Sequence, residues 1–157
     1  MSDTDNADQW PWREFLLVGT RTAKLATVRS SGRPHVAPVA FVLDGNDVVF
    51  TTAATSVKGR SLLRGGEVAL AVDEEAAPFP FVIVEGPVST SEDLDELRKW
   101  CAAIGTRYAG DHAAEFVERN VVPGQLLVRV APTKVVARLG GKPRHTLDLQ
   151  ELRQTSN

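Results

Sequence analysis

Residues 23–52 read AKLATVRSSGRPHVAPVAFVLDGNDVVFTT, and the spacing of turns within this stretch decides the fold class. Ala23–Val28, residues 34–43 and residues 47–52 are runs rich in β-branched and apolar side chains. Ser30-Ser31-Gly32-Arg33 separates the first from the second, and Asp44-Gly45-Asn46 separates the second from the third. Short glycine- and asparagine-bearing turns between such runs specify antiparallel hairpins. Connections of four and three residues are too short for the crossover that parallel neighbours need. A parallel βαβ series is excluded.

Outward from this stretch the same signals continue. Residues 55–64 read as a short helix, capped by Thr55 or Ser56 and stopped by Gly65-Gly66. Glu67–Asp73 is a fourth strand, Pro78 and Pro80 break the chain, and residues 81–88 form a fifth. After Thr90-Ser91, Leu94, Leu97, Trp100, Cys101, Ile104 and Tyr108 recur at three- and four-residue steps, the stripe of an amphipathic helix. A second helical piece follows Asp111, with Phe116 and Val117 as its apolar positions. Gln125–Val130 and residues 134–139 are the last strands. Upstream, residues 9–19 suit a short helix with Pro11 in its first turn and aromatic side chains that seal one barrel mouth. The expected fold is mainly β (α+β): an antiparallel barrel of six or seven strands with capping helices. Residues 1–8 form a polar tail, 9–140 one domain, and 141–157 a second polar tail.

The 157 residues suffice for one hydrophobic core, and 43% apolar and 24% charged residues are ordinary for a globular protein. A net charge of -2 gives no basic surface for nucleic acid or an anionic membrane. No apolar run approaches the roughly 18 residues of a membrane span. The polar, acidic start lacks the order of a secretion signal, so a cytoplasmic protein is expected. A single cysteine, Cys101, allows neither an internal disulfide nor a zinc cluster.

The catalytic inventory is thin. His35, His112 and His145 lie far apart without metal-ligand spacing, so no metal is expected. Cys101 sits on the buried helical stripe as a small core residue. Neither a Gly-x-Ser-x-Gly elbow nor a Gly-x-Gly-x-x-Gly turn occurs. An enzyme built this way depends on a cofactor for its hard chemistry.

Two segments could hold one. In residues 34–41, Pro38 interrupts strand pairing and implies an edge, a bulge or a bend. Such exposed backbone, lined by small residues, can lie against a flat heterocycle. In residues 50–59, a strand ends in Thr51 and Thr52 and passes into a helix start bearing Ser56 and Lys58. Hydroxyls, an ammonium and helix-start amides there suit a phosphate. Taken alone, each segment also reads blandly, as a bent barrel strand and as a capped helix with a solvated lysine.

Together these segments resemble the pyridoxamine 5′-phosphate oxidase-like split-barrel superfamily, and within it the deazaflavin-dependent reductases that use coenzyme F420. The likeness runs through Phe15-Leu16, residues 21–28, residues 32–39, Val49-Phe50-Thr51-Thr52 and Ser56-Val57-Lys58. It continues through Val68-Ala69-Leu70, Val84-Glu85-Gly86 and residues 128–135. The resemblance implies a six-stranded split-barrel homodimer with the cofactor in grooves between subunits. It sets His35, Val36, Ala37, Pro38 and Val39 beside the tricyclic ring, and Thr51, Thr52, Ser56 and Lys58 at the phosphate, with Ala53 between.

Two departures separate this chain from the flavin-mononucleotide oxidases of that superfamily. Val57 stands where an arginine usually precedes the lysine, which removes a contact worth about 1.5–3 kcal/mol. The C-terminal Trp/Arg-rich substrate motif is missing too, so pyridoxamine phosphate oxidation is not expected. The implied reaction is hydride transfer from reduced F420 to an electron-poor double bond of a small molecule, with Tyr108 or water giving the proton. Arg60, Arg64 or Lys142 would meet the cofactor's anionic tail. The alternatives are an FMN-dependent oxidoreductase on the same barrel and a non-catalytic barrel that stores or senses the cofactor.

Overall fold

In the computed structural model, which describes residues 11–140 and 143–150, the quoted stretch folds as two antiparallel hairpins. β1 (Ala23–Val28) pairs with β2 (Pro34–Val39), setting Thr27 opposite His35 and Lys24 opposite Pro38. β3 (Phe41–Asp44) pairs with β4 (Asp47–Ala53). The strand expected over residues 34–43 is therefore two strands, broken at Ala40. β1 and β4 are not neighbours, so the chain leaves one partner and joins another there. Pro38 has no N–H with which to extend the first ladder.

The remaining elements are α1 (Trp12–Leu16), α2 (Val57–Leu63), β5 (Glu67–Asp73), β6 (Phe81–Ser91), α3 (Leu94–Ala109), a 3-10 turn (Gly110–His112), α4 (Ala113–Asn120), β7 (Gln125–Val130), β8 (Lys134–Arg138) and β9 (His145–Asp148). The strands form one nine-stranded sheet ordered β2-β1-β5-β6-β7-β4-β3, with β8 between β6 and β9. β6 shapes it. One edge of this strand pairs with β5; the other carries β8 along Phe81–Glu85 and β7 along Val88–Ser91. A strand shared in this way curls the sheet into a half-barrel. β2 and β3 end the main strand order, joined through the chain but not paired with each other, and the barrel is split there.

The antiparallel split barrel with helical caps is as expected, with more strands than the six or seven foreseen. The break at Ala40 accounts for one. The other is β9, which falls within the expected polar tail: it pairs with β8 and buries Leu147, with Leu149 buried just beyond it. β6 also runs three residues past Val88. The N-terminal tail, residues 1–8, lies outside the described residues.

Inward side chains of the curled sheet form the main core, closed by Trp12 and Leu16 of α1, as the aromatic N-terminal segment suggested. A second core lies under α3, where Leu97, Cys101 and Ile104 meet Val42, Val49 and Leu127. Burying each such aliphatic side chain contributes roughly 1.5–3 kcal/mol. Arg107 ties α3 to its surroundings by donating to the carbonyls of Leu16 (2.8 Å), Gly19 (3.1 Å) and Phe41 (2.7 Å). None of the described helices is long and apolar enough to cross a membrane.

Candidate functional site

The corner where β4 passes into α2 is built around Ser56. Its Oγ donates to the Ala53 carbonyl (2.8 Å), accepts the Gly59 N–H (3.0 Å) and lies 3.2 Å from Thr52 Oγ1. One donation and two acceptances use the whole capacity of a hydroxyl. Ser56 and Thr52 therefore fix the corner's shape. Gly59 makes the closeness possible: a Cβ there would lie 2.1 Å from the Ala53 carbonyl oxygen. No other residue lets α2 pack so tightly onto the strand end.

Lys58 follows at the first turn of α2. It is half-buried, and none of the described residues gives it an ion pair or a hydrogen bond. An ammonium with no counter-ion among the described residues is open to an anion from outside the chain. Ala53 is exposed at the strand end. Thr51 is not part of this group. Strand alternation turns it to the opposite face of β4, toward α3, where its hydroxyl bonds the Cys101 thiol. Burial pushes that thiol's pKa up, and the bond to Thr51 partly offsets the rise.

β2 pairs only with β1, so alternate amides and carbonyls face away from the sheet, the edge that Pro38 implied. Its five candidate residues divide between two faces. His35, Ala37 and Val39 point inward; Val36 and Pro38 point outward and are exposed. His35 Nδ1 and Thr27 Oγ1, on residues directly opposite each other in the β1–β2 register, are buried and lack partners among the described residues. A free edge, two orphaned polar atoms and an unpaired cation leave polar capacity that a ligand could satisfy.

The outer face of the sheet is apolar as well. Val28 and Val36 are 61% and 66% exposed, and half-buried Ala26, Ala69, Ala71, Ile83 and Val136 continue the surface across five strands. Sequence reading missed this face, though apolar residues at both alternating sets of β1 and β5 carry the signal.

Other candidates are placed elsewhere. Tyr108 donates its hydroxyl to the Arg21 carbonyl (2.7 Å), and burial raises its pKa, so its proton is committed away from the β2 edge. Arg64 donates to the Val28 carbonyl (2.9 Å) and Ser61 Oγ (3.1 Å). Arg60 is exposed, and Lys142 lies outside the described residues. His112 meets Glu115 at 3.3 Å on the surface, and His145 begins β9. No cluster of metal-ligating side chains occurs among the described residues.

A curled antiparallel sheet split between β2 and β3 and capped by helices defines the class as split barrels. Residues 12–138 match the pyridoxamine 5′-phosphate oxidase family, and the chain belongs to it. No curated protein matches the sequence. Among solved structures, it resembles a conserved hypothetical protein from Mycobacterium tuberculosis at 20% identity, covering 98% of this chain and 88% of that one, with a TM-score of 0.67. It is also similar to an F420 reductase at 26% identity, covering 78% of this chain and 94% of that one, with a TM-score of 0.61. A heme storage protein from Vibrio cholerae shares the fold at 21% identity, covering 87% of this chain and 90% of that one, with a TM-score of 0.64.

Proposed function

We propose that the protein is a homodimeric oxidoreductase that binds the deazaflavin coenzyme F420 and reduces an electron-poor double bond of a small organic acceptor. The observation that carries this reading is the half-buried, unpaired Lys58 beside the Thr52–Ser56 corner. The likeness to an F420 reductase supports the choice of cofactor. So does Val57, which withholds the second cation that a tightly gripped flavin phosphate uses.

Lys58 would hold the phosphate, Ser56 and Gly59 would keep the corner in shape, and the free edge of β2 would face the ring. When bound in its reduced form, such a cofactor supplies the hydride. With Tyr108 committed to Arg21, the proton that completes the two-electron reduction comes from solvent. The chain's own share is binding, orientation and exclusion of bulk water. The apolar outer face is the surface a second copy would cover, shielding the β2 edge from bulk water.

Titrating purified protein with F420 and, separately, with FMN tests the reading. Saturable quenching of deazaflavin fluorescence at micromolar concentrations, with weaker binding of FMN, is expected. Tight FMN binding with no deazaflavin response would transfer the site to the flavin. Binding without oxidation of the reduced cofactor by any of a broad acceptor panel would leave a storage or sensing barrel.

A further inference from the structure

Two prolines stand at alternate positions of β2 with Val36 midway between them, in the run Pro34-His35-Val36-Ala37-Pro38. Their effect depends on which way each backbone group points. At the turn between β1 and β2 the Arg29 N–H donates to the Arg33 carbonyl (2.9 Å), so those two residues form a hydrogen-bonded pair. In an antiparallel ladder such pairs recur at every second residue. Thr27 with His35, and Leu25 with Ala37, therefore carry the bonds that hold β2 to β1. Residues 34, 36 and 38 turn their backbone groups the other way, to the free edge. The β1 side agrees: the carbonyl of Val28, the residue opposite Pro34, is turned away from β2 and accepts from Arg64 (2.9 Å).

That edge is almost bare of donors. Pro34 and Pro38 have no N–H, so from residue 34 to residue 38 it presents three carbonyls and a single N–H, that of Val36. None of the described residues bonds to any of these four groups. An ordinary edge strand offers an N–H at every second residue, about 6.8 Å apart, and a strand added to it uses several in a row. Here the donors on both sides of Val36 are missing, and an added strand would leave its own carbonyls unmet.

The edge is thus closed to backbone and open to a small molecule. The N–H and C=O of Val36 lie side by side and face the same way. Their complement is a cis amide held in a ring, whose C=O and N–H are neighbours in the ring plane. The flanking carbonyls of Pro34 and Pro38 can take further donors but cannot serve a second acceptor. α2, which bears Lys58, packs against β2, so both ends of one phosphorylated heterocycle fall on adjoining elements.

We infer that the Val36 backbone determines specificity at this site by pairing with an unsubstituted lactam or imide edge, and that Pro34 and Pro38 keep protein strands off it. The inference deepens the cofactor reading and rests on it for the identity of the ring; the pairing at Val36 can be measured with any ring that carries the edge.

The test titrates the full-length protein with 5-deazaFMN and with its N3-methyl derivative, which lacks only the imide N–H. Fluorescence gives the affinities, and amide NMR follows the Val36 signal. The parent is expected to bind saturably and shift the Val36 amide, and the methyl derivative to bind about tenfold weaker or worse. Val36→Pro removes the one edge donor without touching a bond to β1, and should weaken the parent about fivefold or more. Val36→Ala, which keeps the backbone groups, should bind within about twofold of wild type. Equal binding of the two ligands, an unmoved Val36 amide at saturation, or a folded Val36→Pro protein with unchanged affinity would overturn the inference. FMN bound at Val36 with no response to F420 would sink the F420 reading instead and leave the pairing at Val36 standing.

Discussion

Gly59→Ala places a methyl group where the structure has no room. The new Cβ would sit 2.1 Å from the Ala53 carbonyl oxygen and 3.0 Å from the Ala54 oxygen, all of it backbone and none able to swing aside. Contacts under 3.0 Å do not persist, so α2 must retreat from the end of β4 by about 0.9 Å, the difference between 3.0 and 2.1 Å. That movement stretches the Gly59 N–H bond to Ser56 and partly uncovers Leu62, which is 2% exposed. Overpacking of this kind costs about 1–3 kcal/mol. For a chain of this length each kcal/mol is worth about 2–4 °C, so the melting temperature should fall by about 2–12 °C. Lys58 moves with the helix, and cofactor affinity should fall about threefold to tenfold. Gly105→Ala is the control: its Cβ would lie 3.1 Å from the Ala113 oxygen, in α3 and away from the corner, so it should cost stability and leave affinity unchanged. Thermal melts and deazaflavin titrations of both variants read the outcome. A Gly59→Ala protein that melts within 1 °C of wild type and binds equally well would refute the reasoning.

Lys58→Ala should weaken cofactor binding about tenfold or more by removing a charged phosphate contact worth ~1.5–3 kcal/mol, without changing the melting temperature; an unchanged dissociation constant would mislocate the phosphate. Ala69→Arg, on the apolar outer face, should convert the proposed dimer to monomer in sedimentation equilibrium and weaken cofactor binding with it. A variant that stays dimeric would place the interface elsewhere. Burial raises the Cys101 thiol pKa, so above about pH 9 the unfolded chain has lost a proton that the native chain retains. Stability therefore falls as pH rises from there toward the native value, and Cys101→Ala should flatten that fall in urea midpoints; an identical slope would contradict it. Arg107→Met removes the donor to three carbonyls and should cost ~2 kcal/mol with cofactor affinity unchanged, as read by parallel denaturation and titration.

Much of the barrel was legible because turns are local. The Ser30–Arg33 and Asp44–Asn46 turns fix their hairpins whatever surrounds them, and Pro38 marks an edge by lacking a donor. The α3 stripe was legible at Leu97, Cys101 and Ile104, which are buried, whereas Leu94 in the first turn is exposed. The break at Ala40 was not legible. Residues 34–43 are continuous strand sequence, and the break depends on β1 and β4 lying apart in the sheet. β9 was hidden by brevity: Leu147 and Leu149 alternate with polar neighbours over too few residues to stand out from a tail. Within the candidate site, Ser56 as the helix cap was readable from residue type. The separation of Thr51 from Thr52 follows from the two-residue period of a strand, yet adjacency in sequence had joined them at one phosphate.

The reading stands or falls on where a phosphorylated, planar redox molecule binds. A crystal structure of the full-length protein grown with F420 examines it most directly. The phosphate is expected within hydrogen-bond reach of Lys58 Nζ, the ring along the free edge of β2 between residues 35 and 39, and a second copy of the chain over the apolar face. A phosphate bound away from the β4–α2 corner, or a β2 edge occupied by protein backbone, would contradict it.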